Sequence, residues 1–187
     1  MLDETKLAQA AAYLVSKRNG GRMSHLKLMK LLYLADREAL RQFDTPITGD
    51  KYFAMPHGPV LSRTLDLMSG FERSAPEGWS AWLTERRNNE ISVKRDSSRG
   101  SLDHLNDAEI AVLDAIFEAY GHMNRWELRD LTHDRRVVPE WEDPQGSSSP
   151  IPLERILRAL GKSSEAAAAV SRDLEDHQAI DDIFAQL

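Results

Sequence analysis

The feature that most constrains this fold is one long helix that is apolar around most of its circumference. It is predicted over "SHLKLMKLLYLADREALRQF", residues 24–43, where apolar side chains recur at helical spacing. One face consists of Leu28, Leu31, Leu32, Ala35 and Ala39. A second set widens this face: Leu26, Met29, Tyr33, Leu40 and Phe43. Such a helix packs on several sides, so we predict that it lies at the centre of the protein, with Ser24 as its N-cap.

Further helices are predicted on both sides of this segment. We expect them over residues 3–17, 58–70, 106–121, 124–133 and 152–160, and again from about residue 164 to 187. Two of them begin with an asparagine followed three residues later by a glutamate, which is the pattern of a capping box. The helix after residue 58 is expected to start at Gly58-Pro59, because proline is favoured at the first helical position.

Two segments favour extended structure. "KYFAM", residues 51–55, indicates a short strand, and "WSAWLTERRNNEISVKR", residues 79–95, predicts a small hairpin that turns near Asn88-Asn89. Residues 134–150 form a long connection, of a length that is often either functional or disordered. We therefore predict a mainly α fold: a single compact helical domain over 1–162 with a small β-hairpin or short strand element, and an acidic helix over 163–187 that packs on the domain or extends it.

Charge and composition narrow the classes of function. The net charge is −6, and six acidic residues lie after position 162: Glu165, Asp173, Glu175, Asp176, Asp181 and Asp182. A chain of this charge without a basic stripe is a poor candidate for direct nucleic-acid binding. The acidic helix fits either a basic protein partner or a solvated face. The chain has no cysteine, which excludes disulfides and fits a cytoplasmic location. We expect no signal peptide and no membrane span, since the first residues are acidic and no run of about 18 apolar residues occurs.

Catalysis finds little support in the residues. His133 lies between Thr132 and Asp134, which are the raw materials of a hydrolase, but neither a nucleophile elbow nor a phosphate-binding glycine loop is present. A histidine here also fits the end of a helix, where a positive charge meets the negative end of the dipole. We predict no catalytic residue, no cofactor and no metal site.

The corner "MPHGPV", residues 55–60, suits a contact surface. Methionine adapts to irregular surfaces, and proline reduces the entropy lost when a loop is ordered by binding. Trp126 and Trp141 supply the large aromatic area of interface anchors. Each of these residues also fits an ordinary role in the core or in a turn, and that alternative stays open here.

Four segments together resemble the Panacea family of SocA-like antitoxin domains, which is also seen in phage-associated proteins. They are "KLMKLLYLAD" (27–36), "MPHGPV" (55–60), "WELRDLTHD" (126–134) and "PEWEDPQGSSSPIPLERIL" (139–157). The resemblance covers about residues 7–160. The family hallmark is a "GPV" corner after an aromatic or polar residue, a position that His57 occupies here. "DRRVVPEW" is longer than the compact "PW" of many members, which puts contacts from that loop in doubt.

The resemblance implies a non-catalytic antitoxin that neutralises a toxin by direct binding. Toxins of this family often inhibit translation, and the cognate one would be encoded by an adjacent gene. One family member is instead an adaptor that delivers its toxin to a ClpXP-type protease, and an enzyme using His133 and Asp134 is a third alternative. We expect the partner surface to combine the corner, the outer strip of the central helix, and Trp126 with His133. The corner contributes Met55, His57, Gly58 and Pro59, and the strip contributes Lys27, Lys30, Tyr33 and Arg37.

Overall fold

The chain folds into helices with a few short strands. The computed structural model describes residues 2–184, with side chains for residues 2–177, 179 and 180. In this range the helices are α1 (Glu4–Ser16), α2 (His25–Phe43), α3 (Ser62–Ser69), α4 (Trp79–Trp82), α5 (Asp107–Tyr120), α6 (Arg125–His133), α7 (Leu153–Ala159) and α8 (Ser164–Phe184). The strands are β1 (Arg22–Ser24), β2 (Tyr52–Met55), β3 (Gly58–Leu61), β4 (Glu90–Ser92) and β5 (Ser149–Pro150). The predicted mainly helical architecture is confirmed, although the strands form two small sheets.

Helix α2 is the central element, as predicted. It packs against α1, α3, α5, α6 and α7 and against strand β3. Leu28, Leu31, Leu32 and Leu40 are completely buried, and full burial of a leucine contributes roughly 2 kcal/mol to stability. Ser24 occupies the N-cap position but makes no capping hydrogen bond with its side chain.

The β2–β3 hairpin corrects the expected start of the third helix. Met55 pairs with Gly58, so Pro56 and His57 form the turn, and Gly58-Pro59 begin a strand instead of a helix. Helix α3 begins at Ser62 because the buried carboxylate of Asp50 accepts hydrogen bonds from the backbone N–H groups at positions 63 and 64, at 3.1 and 2.8 Å. A side chain from before the hairpin thus supplies the cap that the local sequence lacks.

The second sheet pairs β1 with β4, in the register Arg22 opposite Ser92. The predicted turn at Asn88-Asn89 is confirmed, and both asparagines have positive φ angles of 51° and 62°. The prediction that the first arm of the hairpin begins at residue 79 is wrong, because residues 79–82 form the helix α4. The buried Glu4 carboxylate accepts a hydrogen bond of 2.9 Å from the backbone N–H of Trp79 and thereby fixes this short helix.

The remaining helices begin where the sequence predicts. Both capping boxes are present, at the starts of α5 and α6. Helix α7 follows Pro152, and α8 begins at Ser164 and packs on α7 with Ala167 fully buried. The acidic positions 181 and 182 lie outside the described side chains, and positions 185–187 of the predicted last helix lie outside the described residues. The division of the chain at residue 162 stays a prediction. Within residues 2–184, no helix combines the length and the apolar character needed to cross a bilayer.

Candidate partner-binding site

The segments that carry the family resemblance converge on one side of α2. Strand β3 and helix α6 both pack on α2 and also contact each other. The connection after α6 contacts the same region, because Glu140 binds Tyr33 of α2 and Trp141 binds the backbone of Met55. We call the side chains and backbone groups that meet there the motif cluster: Lys30, Tyr33, Arg37, Gly58, Pro59, Thr132, His133, Glu140 and Trp141. Most of these residues are buried, so the cluster is part of the interior of the protein.

Lys30 lies at the centre of the motif cluster. Its side chain is completely buried, and its Nζ donates a hydrogen bond of 2.7 Å to the carbonyl oxygen of Pro59. Burial lowers the pKa of the Lys30 ammonium to about 7, because the charged form is poorly solvated inside the protein. One carbonyl partner compensates only part of this penalty.

Gly58 is required at the corner for two reasons. Its φ angle is +92°, in the left-handed region that favours glycine. A Cβ at this position would lie 2.8 Å from both Lys30 Nζ and Thr132 Oγ1, which is closer than real contacts allow. The glycine therefore lets the hairpin backbone rest directly on α2 and α6, and this explains the glycine of the "GPV" corner in physical terms.

His133 and Trp141 hold the other side of the hairpin. Their rings stack with centroids 4.1 Å apart and planes 7° from parallel, and Trp141 Nε1 donates a hydrogen bond of 3.3 Å to the Met55 carbonyl. Burial lowers the pKa of His133, and the nearby Lys30 charge adds to this effect. His133 Nε2 is buried and has no hydrogen-bond partner among the residues that the structure describes.

A buried ion pair closes the far end of the motif cluster. Glu140 is 1% exposed, and its Oε1 accepts hydrogen bonds from Tyr33 Oη at 2.7 Å and from Arg37 Nε at 2.5 Å. The Arg37 side chain is 13% exposed. The Tyr33 ring meets the Tyr52 ring edge-on at 5.9 Å, and Tyr52 Oη donates to the buried Asp36 carboxylate. Burial raises the pKa of Asp36 to about 6, although its hydrogen bonds oppose that shift.

The expectation that the polar strip of α2 faces outward is wrong. Lys27 is 5% exposed, and Lys30 and Tyr33 are fully buried. Lys27 Nζ donates hydrogen bonds to the carbonyl oxygens of Gly121 and Met123, each at 2.6 Å. It therefore supplies a donor to the backbone carbonyls that follow the end of α5. The physical reason is that other elements cover this side of α2 too and provide an oxygen for each polar group.

The predicted corner is divided between surface and interior. Pro56 and His57 are exposed at the hairpin turn, and Met55 is half-buried. Gly58 and Pro59 are buried beneath them. We call residues 55–57 the hairpin tip; it is the part of the corner that can meet another macromolecule directly.

Trp126 is not brought to the hairpin tip. It lies at the start of α6 with His133 at the end of the same helix, and seven residues of helix span about 10 Å. Its side chain is 46% exposed, with the guanidinium groups of Arg125 and Arg129 over the ring at 5.1 and 5.0 Å. The predicted site residues therefore fall into a buried cluster, an exposed tip and a separate tryptophan.

The side chains proposed for a hydrolase do not form a proton relay. Thr132 Oγ1 donates to the carbonyl of Arg129 at 3.0 Å. The Asp134 carboxylate pairs with Arg136 at 2.6 Å, and this contact lowers the pKa of Asp134. Neither group is bonded to His133, so the geometry gives that alternative no support.

Sequence reasoning missed the acidic partners of the motif cluster. Glu140 and Asp36 were present inside the quoted segments, but neither was singled out. No local signal identifies Glu140 as the partner of Arg37, because the two residues are 103 positions apart. Asp50 carried no signal either, because its donors come from a helix start that the local pattern misplaces.

Comparison with known proteins assigns the family. Residues 28–142, more than half of the chain, match the profile described as "Antitoxin SocA-like, Panacea domain". The chain belongs to this family. No curated protein and no solved structure matches it at a significant level.

The matched range contains the whole motif cluster. It begins just before Lys30 and ends just after Trp141, whereas α1, α7 and α8 lie outside it. The Panacea profile thus includes the part of the fold that holds the β2–β3 hairpin on α2 and α6, together with α3, α4, β4 and α5. Membership of the family supports an antitoxin role in general terms.

Proposed function

We propose that this chain is the antitoxin of a type II toxin–antitoxin system and neutralises a cognate toxin, one that inhibits translation, by direct protein–protein binding. The observation that carries the proposal is the family match over residues 28–142. The partner is the product of an adjacent gene. The chain acts without catalysis and without a cofactor.

The hairpin tip is the proposed contact surface. Met55 and His57 are its adaptable and polar contacts, respectively, and Pro56 limits the conformations of the turn. The motif cluster holds the tip in place through the hydrogen bonds from Lys30 to Pro59 and from Trp141 to Met55. A contact loop that is ordered before binding loses less entropy in the complex, which favours affinity.

The buried site residues have a different role from the one expected for a partner surface. Lys30, Gly58, Pro59 and His133 act by positioning the hairpin tip, since the first three are covered by other parts of the chain and His133 is stacked on Trp141. Trp126 contributes through the separate surface on which it lies. The polar groups around His133 are occupied by internal partners, and this supports binding as the mode of action.

Co-expression with the adjacent gene product tests the proposal. The chain should restore growth to cells that express the toxin, and the two proteins should elute together from a sizing column. His57→Asp should weaken the complex at least about ten-fold, because an unpaired charge at an interface is costly to desolvate. Phe71→Asp is the matched control, since Phe71 is 86% exposed and lies outside the hairpin. Normal growth with the neighbour alone would contradict the proposal.

The half-life of the toxin separates inhibition by binding from delivery to a protease. An antitoxin that acts by binding leaves the toxin half-life unchanged or lengthens it. A half-life that shortens only when the ClpXP-type protease is present would contradict neutralisation by binding alone and favour the adaptor mechanism.

A further inference from the structure

A basic cleft lies beside Trp126, away from the hairpin tip. It lies among the turn after α1, strand β1 and the start of α6, and its volume is about 370 Å³. Three arginines from these elements line it, namely Arg18, Arg22 and Arg125, with Trp126 at its edge. Arg18 and Arg22 are close in the sequence, but Arg125 lies more than 100 positions later, so the three arginines meet only when the chain folds.

The positive charges of this cleft are poorly neutralised. Arg18 and Arg125 have no carboxylate within ion-pair distance among the side chains that the structure describes, and Arg22 reaches Glu90 only at 3.9 Å. Glu90 also lines the cleft, and the charge of Glu127 acts on Lys27, another lining residue. These two acids oppose three arginines, so the cleft keeps a net positive charge.

Two neighbouring groups respond to that potential. The pKa of Lys27 is lowered, first by burial and then by the charge of Arg18. The pKa of His25 is lowered by burial, and the charges of Arg86 and Arg125 contribute. Both residues lie at the start of α2, so the positive field extends beyond the arginines that line the cleft.

Trp126 adds an apolar anchor to this charged surface. It is 46% exposed, whereas Trp79, Trp82 and Trp141 are at most 8% exposed. The guanidinium groups of Arg125 and Arg129 lie over its ring and stabilise its position by cation–π attraction. Tryptophan and arginine are the residues most enriched among those that dominate binding energy at protein interfaces.

We propose that the cleft formed by Arg18, Arg22, Arg125 and Trp126 binds an acidic segment of a protein partner. This rests on the proposed function, because the partner is the toxin. Nucleic acid is the less favoured ligand, since its binding depends on neutralising several phosphates along a track, and the net charge of this chain is −6. The arginines are instead confined to one short cleft.

Quenching of tryptophan fluorescence by acrylamide tests the cleft directly on the full chain. The probe is a short peptide of alternating glutamate and glycine, which has no fluorescence of its own. We expect it to protect Trp126 from acrylamide in a saturable manner that weakens as salt is added. Trp126→Phe should remove the signal and so identify the reporter.

A double variant and a matched control give the decisive comparison. Arg18→Glu/Arg22→Glu should weaken peptide binding at least about ten-fold, because it reverses the charge of the cleft. Arg158→Glu should bind the peptide as the wild type does, since this exposed arginine of α7 lies outside the cleft. The inference is overturned by an absence of protection, by equal binding to the double variant, or by tighter binding of an oligonucleotide of equal charge.

The complex with the toxin separates this inference from the proposed function. The double variant should weaken the complex at least about ten-fold, and Arg158→Glu should not. If the double variant binds and neutralises the toxin as the wild type does, the cleft inference fails and the proposed function stands. If the wild-type chain neither binds nor neutralises the toxin, the proposed function fails, and the peptide titration still decides whether the cleft binds acidic segments.

Discussion

Lys30 Nζ donates a hydrogen bond of 2.7 Å to the carbonyl oxygen of Pro59, and this contact joins the centre of the long helix to the hairpin. The two residues belong to different motif segments and lie 29 positions apart in the chain. Beside the contact, the missing side chain of Gly58 leaves room for both the Lys30 ammonium and the Thr132 hydroxyl. The motif residues are therefore best understood as supports for the hairpin tip.

Gly58→Ala should destabilise the fold by about 3 kcal/mol, because strain at a positive φ angle adds to a steric clash. The added Cβ would lie 2.8 Å from two buried polar atoms. Gly20→Ala is the matched control, since Gly20 has a φ of +84° and no atom within 4 Å of the added Cβ, so it introduces the strain alone. Urea unfolding measures both variants. Equal losses of stability would show that the close approach of the hairpin is unimportant.

Lys30 should make the stability of the protein rise with pH above neutrality. Its pKa is about 7 in the folded protein and 10.5 in the reference state, so the unfolded chain binds more protons between these values. The free energy of unfolding should therefore increase from pH 7 to about 9.5, with a slope of up to about 1.4 kcal/mol per pH unit from this group. The folded state is penalised fully below pH 7 and progressively less above it.

Urea unfolding of Lys30→Met over the same pH range isolates this contribution. The variant should lose the part of the slope that Lys30 provides, whatever its absolute stability. Lys51→Met, which replaces an exposed lysine, should keep the wild-type slope. Parallel pH profiles for the wild type and Lys30→Met would rule out titration of a buried Lys30.

Glu140→Gln should destabilise the protein by about 2–3 kcal/mol, since it leaves the largely buried Arg37 side chain without its counter-charge. Glu142→Gln provides a control two residues away. The Glu142 pair with Arg155 is exposed at both side chains, and such pairs contribute about 0–1 kcal/mol. A double-mutant cycle with Arg37 should give a large coupling energy, and a coupling near zero would contradict a stabilising pair.

Trp141→Phe should loosen the hairpin tip while preserving the fold. The phenyl ring still stacks on His133, but the hydrogen bond to the Met55 carbonyl is lost, at a cost of about 1 kcal/mol. Amide hydrogen exchange in β2 and β3 should accelerate about five-fold, and the affinity for the toxin should fall. Trp79→Phe is the matched control, because Trp79 Nε1 is buried and has no hydrogen-bond partner among the described residues. Unchanged exchange in Trp141→Phe would exclude a role for this bond.

Local patterns predicted those parts of the fold that depend on neighbouring residues. Each capping box, at Asn106 and at Asn124, uses groups within four positions of each other, and the Asn88-Asn89 turn is likewise local. The start of α3 depends on Asp50, which lies on the far side of the hairpin. Its position could not be read from residues 58–62 alone.

The structure corrects the exposure expected for several candidate site residues, and whether they act in partner binding stays a prediction. The sequence named Lys30, Tyr33 and Arg37 as polar positions on one edge of α2, and their helical spacing is confirmed. A polar edge looks the same in sequence whether water or other protein groups meet it. These side chains are buried because Pro59 and Glu140 supply hydrogen-bond acceptors for them. Pro59 lies 29 residues from Lys30, and Glu140 lies about 100 residues from Tyr33 and Arg37.

By itself, the sequence determined that an apolar helix would lie at the centre of a mainly helical protein, because hydrophobic periodicity is a property of adjacent residues. The tertiary structure alone decided which polar groups are buried and which charges meet at the surface. Arg18, Arg22 and Arg125 form one cleft, and Lys30 is enclosed, since both outcomes depend on contacts between segments that are distant in the chain.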